Sequence, residues 1–302
     1  MNRSATTFLA LVGLLLDVGL LSGQAGTGVQ LRTEPSDPMR GTLVRLIVAP
    51  DHPSERPWSW VDGSVAGEPL HFHTNGDESF RALAGIPVEG DDSLPVLLRV
   101  SYGDGSIDSI HAVLPVRRLR TTMEHLRVAP AMAEPDSAAT ARIRSETERA
   151  RQVGRQSHST PQLWSDRFEP PRPSRITSRF GTGRDLNGRV LSRHLGTDFA
   201  GTVGDPVEAT NRGVVVLVAD FYLSGRTVYL DHGSGLVSAY FHLSESDVVE
   251  GDTVARGQVI GKVGQSGRVT GPHLHWVVRY GNVTVDPLSV LALLGAGNPP
   301  AD

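Results

Sequence analysis

The chain has 302 residues, of which 39% are hydrophobic and 21% charged, so it is long enough for about two globular domains of ordinary composition. A formal net charge of −4 gives no support for a nucleic-acid partner. The absence of cysteine excludes disulfides, cysteine-ligated zinc and a thiol nucleophile.

The first 25 residues are typical of a secretory signal peptide. Arg3 precedes an apolar run from Phe8 to Leu21, and Gly23-Gln24-Ala25 has the small-x-small pattern of a cleavage site. The run is shorter than the roughly 20 residues that span a bilayer, and it contains Asp17, so a retained membrane anchor is the weaker alternative. We therefore expect an exported protein, periplasmic or extracellular, with no membrane span in its mature form.

Residues 29–116 contain short β-rich runs separated by Gly, Pro and Asp. The runs predict strands at Thr42 to Ala49, Leu70 to His73, Phe80 to Ala84, Val96 to Tyr102 and Ile110 to Val116. Their spacing predicts an immunoglobulin-like β-sandwich. Trp58 and Trp60 alternate in sequence, which favours a shared position in the core over a binding surface.

Residues 117–173 form an Arg-rich linker. Nine arginines outnumber five acidic residues up to residue 156, and Pro135-Asp136 starts a helical pattern that fades by Gly154. We interpret this helix as a solvated connector; the alternative is a basic face that contacts an anionic polymer. Pro170-Pro171-Arg172-Pro173 then predicts a stiff, extended entry to the next module.

Residues 174–292 form a second module with no long amphipathic helix, followed by a tail at 293–302. Strands are predicted at Gly213 to Ala219, Thr227 to Asp231, Leu236 to Phe241, Gln258 to Val263, His275 to Arg279 and Asn282 to Val285. An antiparallel all-β core follows from this pattern.

Three short stretches of the second module place four histidines and an aspartate where a hydrolytic zinc site could use them. They are His194-Leu195-Gly196-Thr197-Asp198, Tyr240-Phe241-His242-Leu243 and Gly271-Pro272-His273-Leu274-His275-Trp276. A catalytic Zn²⁺ takes three ligands from His, Asp or Glu and keeps a water that ionises near pH ~7. His273 and His275 alternate on a predicted strand, so one could hold metal while the other faces substrate.

An isolated His-x-His pair is weak evidence, because eleven histidines in 302 residues give about 0.4 such pairs by chance. A second pair, His71-Phe72-His73, has no upstream His-x-x-x-Asp and is interpreted as structural. His232 lies in an Asp-His-Gly turn and is also interpreted as structural. His52, His111, His125 and His158 lie outside the three stretches.

These stretches resemble the signatures of the lysostaphin/LytM-type zinc metallopeptidases, the M23 family. Further similar motifs follow in the same order as in that family: Ser178-Arg179-Phe180-Gly181, Gly204-Asp205-Pro206-Val207, Asp231-His232-Gly233, Gly251-Asp252-Thr253-Val254, Gly257-Gln258-Val259-Ile260-Gly261 and Asp286-Pro287. The similarity covers residues 174 to 290. It implies a LytM-type (duplicated hybrid motif) fold with a substrate groove.

The resemblance implies that His194, Asp198 and His275 bind one Zn²⁺ and that His242 and His273 assist catalysis, with both as candidates for the general base. It further implies an exported metalloendopeptidase that hydrolyses peptidoglycan cross-links or stem peptides through a zinc-activated water. The cleaved bond stays open between D-Ala to diaminopimelate, glycyl-glycine and others. On this basis the anionic polymer that the Arg-rich linker could contact would be a wall polymer.

The main alternative is a non-catalytic LytM-type activator of a cell-wall amidase, a role found in members of the family that have lost ligands. A carrier-like module is a third hypothesis, because Val249 to Val263 resembles a biotinyl or lipoyl hairpin, but the Lys turn that carriers modify is missing. We also expect the N-terminal sandwich or the helix at 136 to 154 to cover part of the groove.

Overall fold

The computed structural model describes residues 20–21, 28–51, 56–74, 76, 78–188 and 190–295. Apart from residues 20 and 21, the predicted signal peptide lies outside these ranges, as do His52 and residues 296–302 of the predicted tail. Within the described ranges, no helix is both long enough and apolar enough to cross a membrane.

The N-terminal strands are β1 (Leu20–Leu21), β2 (Val29–Glu34), β3 (Leu43–Pro50), β4 (Trp58–Val65), β5 (Glu68–Pro69), β6 (His73–Thr74), β7 (Phe80–Gly85), β8 (Ser93–Tyr102) and β9 (Ile107–Pro115). The linker contributes β10 (Met123–Leu126), α1 (Pro130–Ala133) and α2 (Ser137–Ser157). The remaining elements are β11 (Ile176–Ser178), β12 (Gly183–Leu186), β13 (Val190–Arg193), β14 (Thr197–Ala200), β15 (Pro206–Glu208), β16 (Gly213–Phe221), β17 (Gly225–Gly233), β18 (Leu236–Ser246), β19 (Thr253–Val254), β20 (Val259–Val263), β21 (His273–Tyr280), β22 (Val283–Val285) and α3 (Pro287–Leu294).

Strands β1 to β9 form two antiparallel sheets, with orders β1-β2-β3-β7-β6 and β5-β4-β8-β9. Without β1, these are the A-B-E-D and C′-C-F-G positions of an immunoglobulin-type sandwich. One apolar cluster between the sheets includes Leu46 from β3, Val61 from β4 and Val100 from β8. The all-β fold class predicted from the sequence is confirmed.

The two tryptophans of β4 do not share one environment. Trp58 packs against Phe80 of the core with ring centroids 6.0 Å apart, whereas 46% of Trp60 is exposed. The pairing of β4 with β8 shifts register between these two residues, which breaks the simple alternation of side chains. The predicted core position is therefore wrong for Trp60.

The linker is folded onto the C-terminal module. Strand β10 runs parallel to β12, and α2 begins after Asp136, whose carboxylate accepts a hydrogen bond of 2.7 Å from the Ala139 backbone. The helix start was predicted correctly. One face of α2 is solvated as expected, but Ala150 and Val153 on the other face pack against the sheet.

The C-terminal module is built on a ten-stranded antiparallel sheet. Its main order is β11-β14-β21-β18-β17-β16-β19, with β15, β20 and β22 paired alongside. On β21, Leu274, Trp276 and Val278 point into the main core, whereas Val277 packs in the cluster beneath α2. Because side chains alternate along a strand, His273 and His275 lie on the same face as Val277.

The sandwich, the linker and the C-terminal sheet meet at His158, which follows α2. Its Nε2 lies 2.9 Å from a Glu68 carboxylate oxygen, and its Nδ1 lies 2.9 Å from Nε2 of His71. The hydroxyl of Tyr280 donates to the Pro69 carbonyl at 2.7 Å. His71 thus belongs to a contact between modules, consistent with the structural interpretation of His71-Phe72-His73.

His232 is a fully buried core residue. Its Nδ1 lies 2.7 Å from the Arg212 carbonyl, which can only accept, so Nδ1 carries the proton. Its Nε2 lies 2.8 Å from the Ser238 hydroxyl. The neutral ring is therefore hydrogen-bonded at both nitrogens, which agrees with the structural interpretation.

We expect His232 to make the fold sensitive to acid. Burial lowers the pKa of His232 from 6.5 to about 4, so the unfolded chain binds the proton more tightly than the folded chain does. The contribution of neutral His232 to stability is therefore lost as pH falls from 6.5 towards 4. The loss amounts to about 3 kcal/mol of unfolding free energy. Urea unfolding at pH 7.5 and 4.5 should show a smaller pH effect in His232→Gln than in the wild type. His111→Gln, on an exposed residue of β9, is the control and should behave as wild type.

Candidate metal centre

Three of the predicted site residues converge across the paired strands β14 and β21. Asp198 of β14 lies opposite His275 of β21, and His194 lies just before β14. The Asp198 Oδ1 atom is 2.9 Å from His194 Nε2 and 2.7 Å from His275 Nδ1. The two imidazole nitrogens are 2.9 Å apart. Among the described residues, this is the one group of three His, Cys, Asp or Glu donors that could hold a metal ion.

Asp198 and His275 are held in the protonation states that a metal requires. Burial raises the pKa of Asp198, but the neighbouring His275 and His194 outweigh it and hold that pKa well below its usual range. Burial lowers the pKa of His275 to about 4. The ionised carboxylate of Asp198 and the neutral imidazole of His275 offer lone pairs, and His194 directs Nε2 at the same point, so the donor set fits Zn²⁺.

Neighbouring groups orient His194. Its Nδ1 lies 2.9 Å from the Arg179 carbonyl, so Nδ1 carries the proton and the lone pair of Nε2 faces Asp198. The Ser178 hydroxyl lies 3.1 Å from the same Nδ1 and donates to the Glu124 carboxylate at 2.9 Å. Glu124 belongs to β10, so the linker supports a metal ligand of the C-terminal module.

The second carboxylate oxygen of Asp198 is occupied by Arg184. The Arg184 Nη2 atom donates to Asp198 Oδ2 at 2.8 Å. This contact leaves Oδ1 facing the two imidazoles and fixes the plane of the carboxylate. A charge-assisted hydrogen bond of this kind is short and directional.

His242 and His273 lie beside the three ligands. The ring of His242 is 4.9 Å from that of His273 and 5.8 Å from that of His275. The His242 Nδ1 lies 2.8 Å from the Ser266 carbonyl, and the His273 Nδ1 lies 2.9 Å from the Gly271 carbonyl. In both rings Nδ1 therefore carries the proton, and Nε2 is left to accept one.

The backbone of His242 has an unusual conformation. Its φ of 62° lies in the left-handed region that non-glycine residues rarely adopt. Burial, together with His275 and His273, lowers the pKa of His242 to about 3. Backbone strain of this kind often marks functional sites because the surroundings must enforce it.

Comparison with known proteins decides the family. Residues 192–287 match the model of peptidase family M23. The peptidoglycan DD-endopeptidase ShyA of Vibrio cholerae is 40% identical over 112 residues, which cover 37% of this chain and 24% of that protein. The DD-carboxypeptidase/endopeptidase Mpg of Neisseria meningitidis is 38% identical over 123 residues, which cover 41% and 28%.

Residues 192–287 therefore form a peptidase family M23 module. A crystal structure described as an M23 peptidase from Pseudomonas aeruginosa superposes with a TM-score of 0.62 at 28% identity, over 84% of this chain and 94% of that chain. That likeness extends well beyond the matched segment. The curated relatives are similar to this chain over about a quarter of their own length.

Two cavities flank the candidate metal ligands of the M23 module, and linker residues line part of both. One, of about 360 Å³, contains Asp198, His242 and His273 and has Glu124 of β10 in its wall. The other, of about 220 Å³, contains His275 and has Ala150 of α2 in its wall. The linker is therefore part of the rim of the site.

Residues 130–157, here named the covering segment, line the smaller cavity and contact Arg268 in the wall of the larger one. The Arg268 guanidinium donates to the Met132 carbonyl at 3.3 Å, and the Tyr222 hydroxyl donates to the Ala131 carbonyl at 3.0 Å. The metal ligands have little contact with solvent: His194 is 1% exposed, Asp198 5% and His275 9%.

Gly196 lets the M23 ligands approach one another. A Cβ atom at this position would lie 2.6 Å from the His275 ring and 2.7 Å from the Trp276 carbonyl. We expect Gly196→Ala to displace His275 and to weaken zinc binding about 10- to 100-fold, the loss typical of a disturbed ligand support. Competition with a zinc chelator measures the affinity. Gly103→Ala, in the N-terminal sandwich, is the folding control, because a Cβ there would lie no closer than 3.7 Å to its neighbours. A zinc affinity equal to that of the wild type in folded Gly196→Ala would contradict the expected displacement of His275.

The structure brings all five predicted site residues together, and the other histidines that it describes lie away from them. Sequence reasoning missed Glu124, Ser178 and Arg184 as supports. Ser178 was part of a motif already noted and could have been found. Glu124 had no signal, because its role depends on the parallel pairing of β10 with β12.

Proposed function

We propose that this protein is an exported zinc metalloendopeptidase that hydrolyses peptide bonds in peptidoglycan cross-links or stem peptides. The observation that carries this proposal is the convergence of His194, Asp198 and His275 with two further histidines on one sheet face. The names of the relatives, a peptidoglycan DD-endopeptidase and a DD-carboxypeptidase/endopeptidase, support the same substrate class.

The roles follow from the geometry. His194, Asp198 and His275 would hold one Zn²⁺, which when bound polarises the scissile carbonyl and lowers the pKa of water. In His242 and His273 the Nδ1 atom is committed to a backbone carbonyl, so Nε2 is the nitrogen available for proton transfer. One of them takes the proton of the attacking water and passes it to the leaving amine.

The complete ligand set favours hydrolysis over the activator role, since an activator needs no metal donors. The predicted signal peptide places the activity in the periplasm or outside the cell. Arg144, Arg149 and Arg151 on the exposed face of α2 are the residues we propose for contact with anionic wall polymer.

The test is fragment release from purified sacculi by residues 26–302. Mass spectrometry should detect new peptide ends, whose masses identify the bond, and a zinc chelator should stop their formation until zinc is restored. Intact cross-links and stem peptides after digestion with stoichiometric zinc would overturn the proposal. Release of glycan ends instead of peptide ends would do the same.

We expect the covering segment to restrain hydrolysis. Val153 lies on the buried face of α2, so Val153→Glu should favour release of the helix, because an unpaired buried carboxylate is costly. Turnover of a soluble cross-linked peptide should rise about fivefold or more, because a larger fraction of the molecules then has the covering segment away from the site. Limited proteolysis near residue 153 reports the release.

Gln152→Glu adds the same charge on the exposed side of α2 and is the matched control. A wild-type rate in a Val153→Glu protein with a protease-sensitive helix would rule out restraint. This comparison is sharper than truncation to residues 173–302, which also removes β10 and uncovers Tyr229 and Phe241.

A further inference from the structure

Arg268 lies in the loop between β20 and β21 and lines the larger cavity together with His242 and His273. The loop is fixed to the turn between β16 and β17. The Arg268 backbone donates to the Leu223 carbonyl at 2.8 Å, and Gly267 has a φ of 75° with the Gly225 backbone 2.4 Å from where a Cβ would lie. The backbone at Arg268 is therefore held in place.

The guanidinium of Arg268 has no carboxylate partner in the described part of the chain. Its side-chain hydrogen bond runs to the Met132 carbonyl at 3.3 Å. Burial, together with Arg184, lowers the pKa of Arg268. A partly buried cation without a counter-ion is unfavourable, so this position is suited to an anion that arrives from outside.

The carboxylates of the same cavity are already engaged. Asp198 contacts Arg184 and the two ligand imidazoles. Glu124 accepts from Ser178 and lies 3.6 Å from the Arg184 Nε. Neither neutralises Arg268, and a bound metal cation would increase the positive charge of the cavity further.

We propose that Arg268 binds a carboxylate of the peptide substrate beside the cleaved bond and so makes the enzyme selective for peptides that carry one there. The inference rests on the proposed function. A guanidinium presents paired donors that match the two oxygens of a carboxylate. The carboxylate replaces the Met132 carbonyl of the covering segment and comes from a C-terminus or from the side chain of a diamino acid.

The experiment uses zinc-loaded residues 26–302 and one synthetic cross-linked D,D-peptide in three forms. One form has all carboxylates free, one has an amidated C-terminus, and one has an amidated diamino-acid carboxylate. The wild type should cleave the free form with a higher kcat/KM than the form in which the recognised carboxylate is amidated. Arg268→Gln should lower this ratio of kcat/KM values about 30- to 100-fold, because it removes a charged hydrogen bond. Arg268→Lys should give an intermediate ratio. Arg256→Ala, on a residue outside the cavity, is the control.

The carboxylate that Arg268 binds is the one whose amidation lowers the kcat/KM of the wild type. An equal fall of kcat/KM on all three forms in folded, zinc-loaded Arg268→Gln would overturn the inference, because Arg268 would then act only on the loop. If the wild type cleaves no form, the proposed function fails separately. Calorimetric binding of the three peptides to His242→Asn still decides the inference in that case, since equal affinities for all forms would reject it.

Discussion

Replacement of His194 by alanine is expected to abolish zinc binding and hydrolysis together. The side chain supplies one of three converging donors. Its loss leaves two donors, Asp198 and His275, which do not complete the set of three protein ligands. Zinc content should fall from one ion per chain to below about 0.1, and turnover should fall by about 10³-fold or more.

Elemental analysis of the purified protein and the rate of peptide cleavage measure the two effects. His111→Ala changes an exposed histidine of the sandwich and should keep both zinc and activity. Stoichiometric zinc in folded His194→Ala would remove His194 from the ligand set.

Replacement of His242 should separate the two effects: zinc is retained and turnover is lost. His242 lies beside the ligands, and its Nδ1 is committed to the Ser266 carbonyl, so its remaining nitrogen is available for proton transfer. Loss of a general base lowers kcat by about 10² to 10⁴. His242→Asn is preferable to alanine because asparagine tolerates the positive φ of this position better.

The same measurement on His273→Asn completes the comparison. The variant with the larger fall in kcat at full zinc occupancy identifies the base, which the sequence left open between the two residues. Metal loss from folded His242→Asn would overturn its assignment as a residue that assists catalysis.

The site was predictable from the sequence because its residues lie in short motifs with fixed spacing. His-x-x-x-Asp and His-x-His each fall on one strand or its entrance, so local geometry places them. The long strands β16, β17, β18 and β21 were predictable for a similar reason: each is long and rich in apolar β-formers.

Other parts depended on information that is not local. Strand β10 forms through parallel pairing with a segment about 60 residues away. Strand β4 carries Gly63 in its interior, where a Cβ would lie 2.2 Å from the Leu97 carbonyl, and glycine weakens a strand pattern. Helix α3 is apolar on all sides, so it has no amphipathic period, although Asp286 and Pro287 mark its start.

The near-complete burial of the three ligands has a kinetic consequence for the metal. Both cavities beside the candidate ligands have linker residues in their walls, so we expect movement of the linker to affect how fast a bound ion exchanges with bulk solution. Equilibrium affinity and residence time are then set by different parts of the chain. We expect His194, Asp198 and His275 to determine how tightly the ion is held, and the covering segment, which lines the smaller cavity, to affect how fast it leaves. The half-life of zinc in the presence of a chelator would then report how often the covering segment moves away from the site.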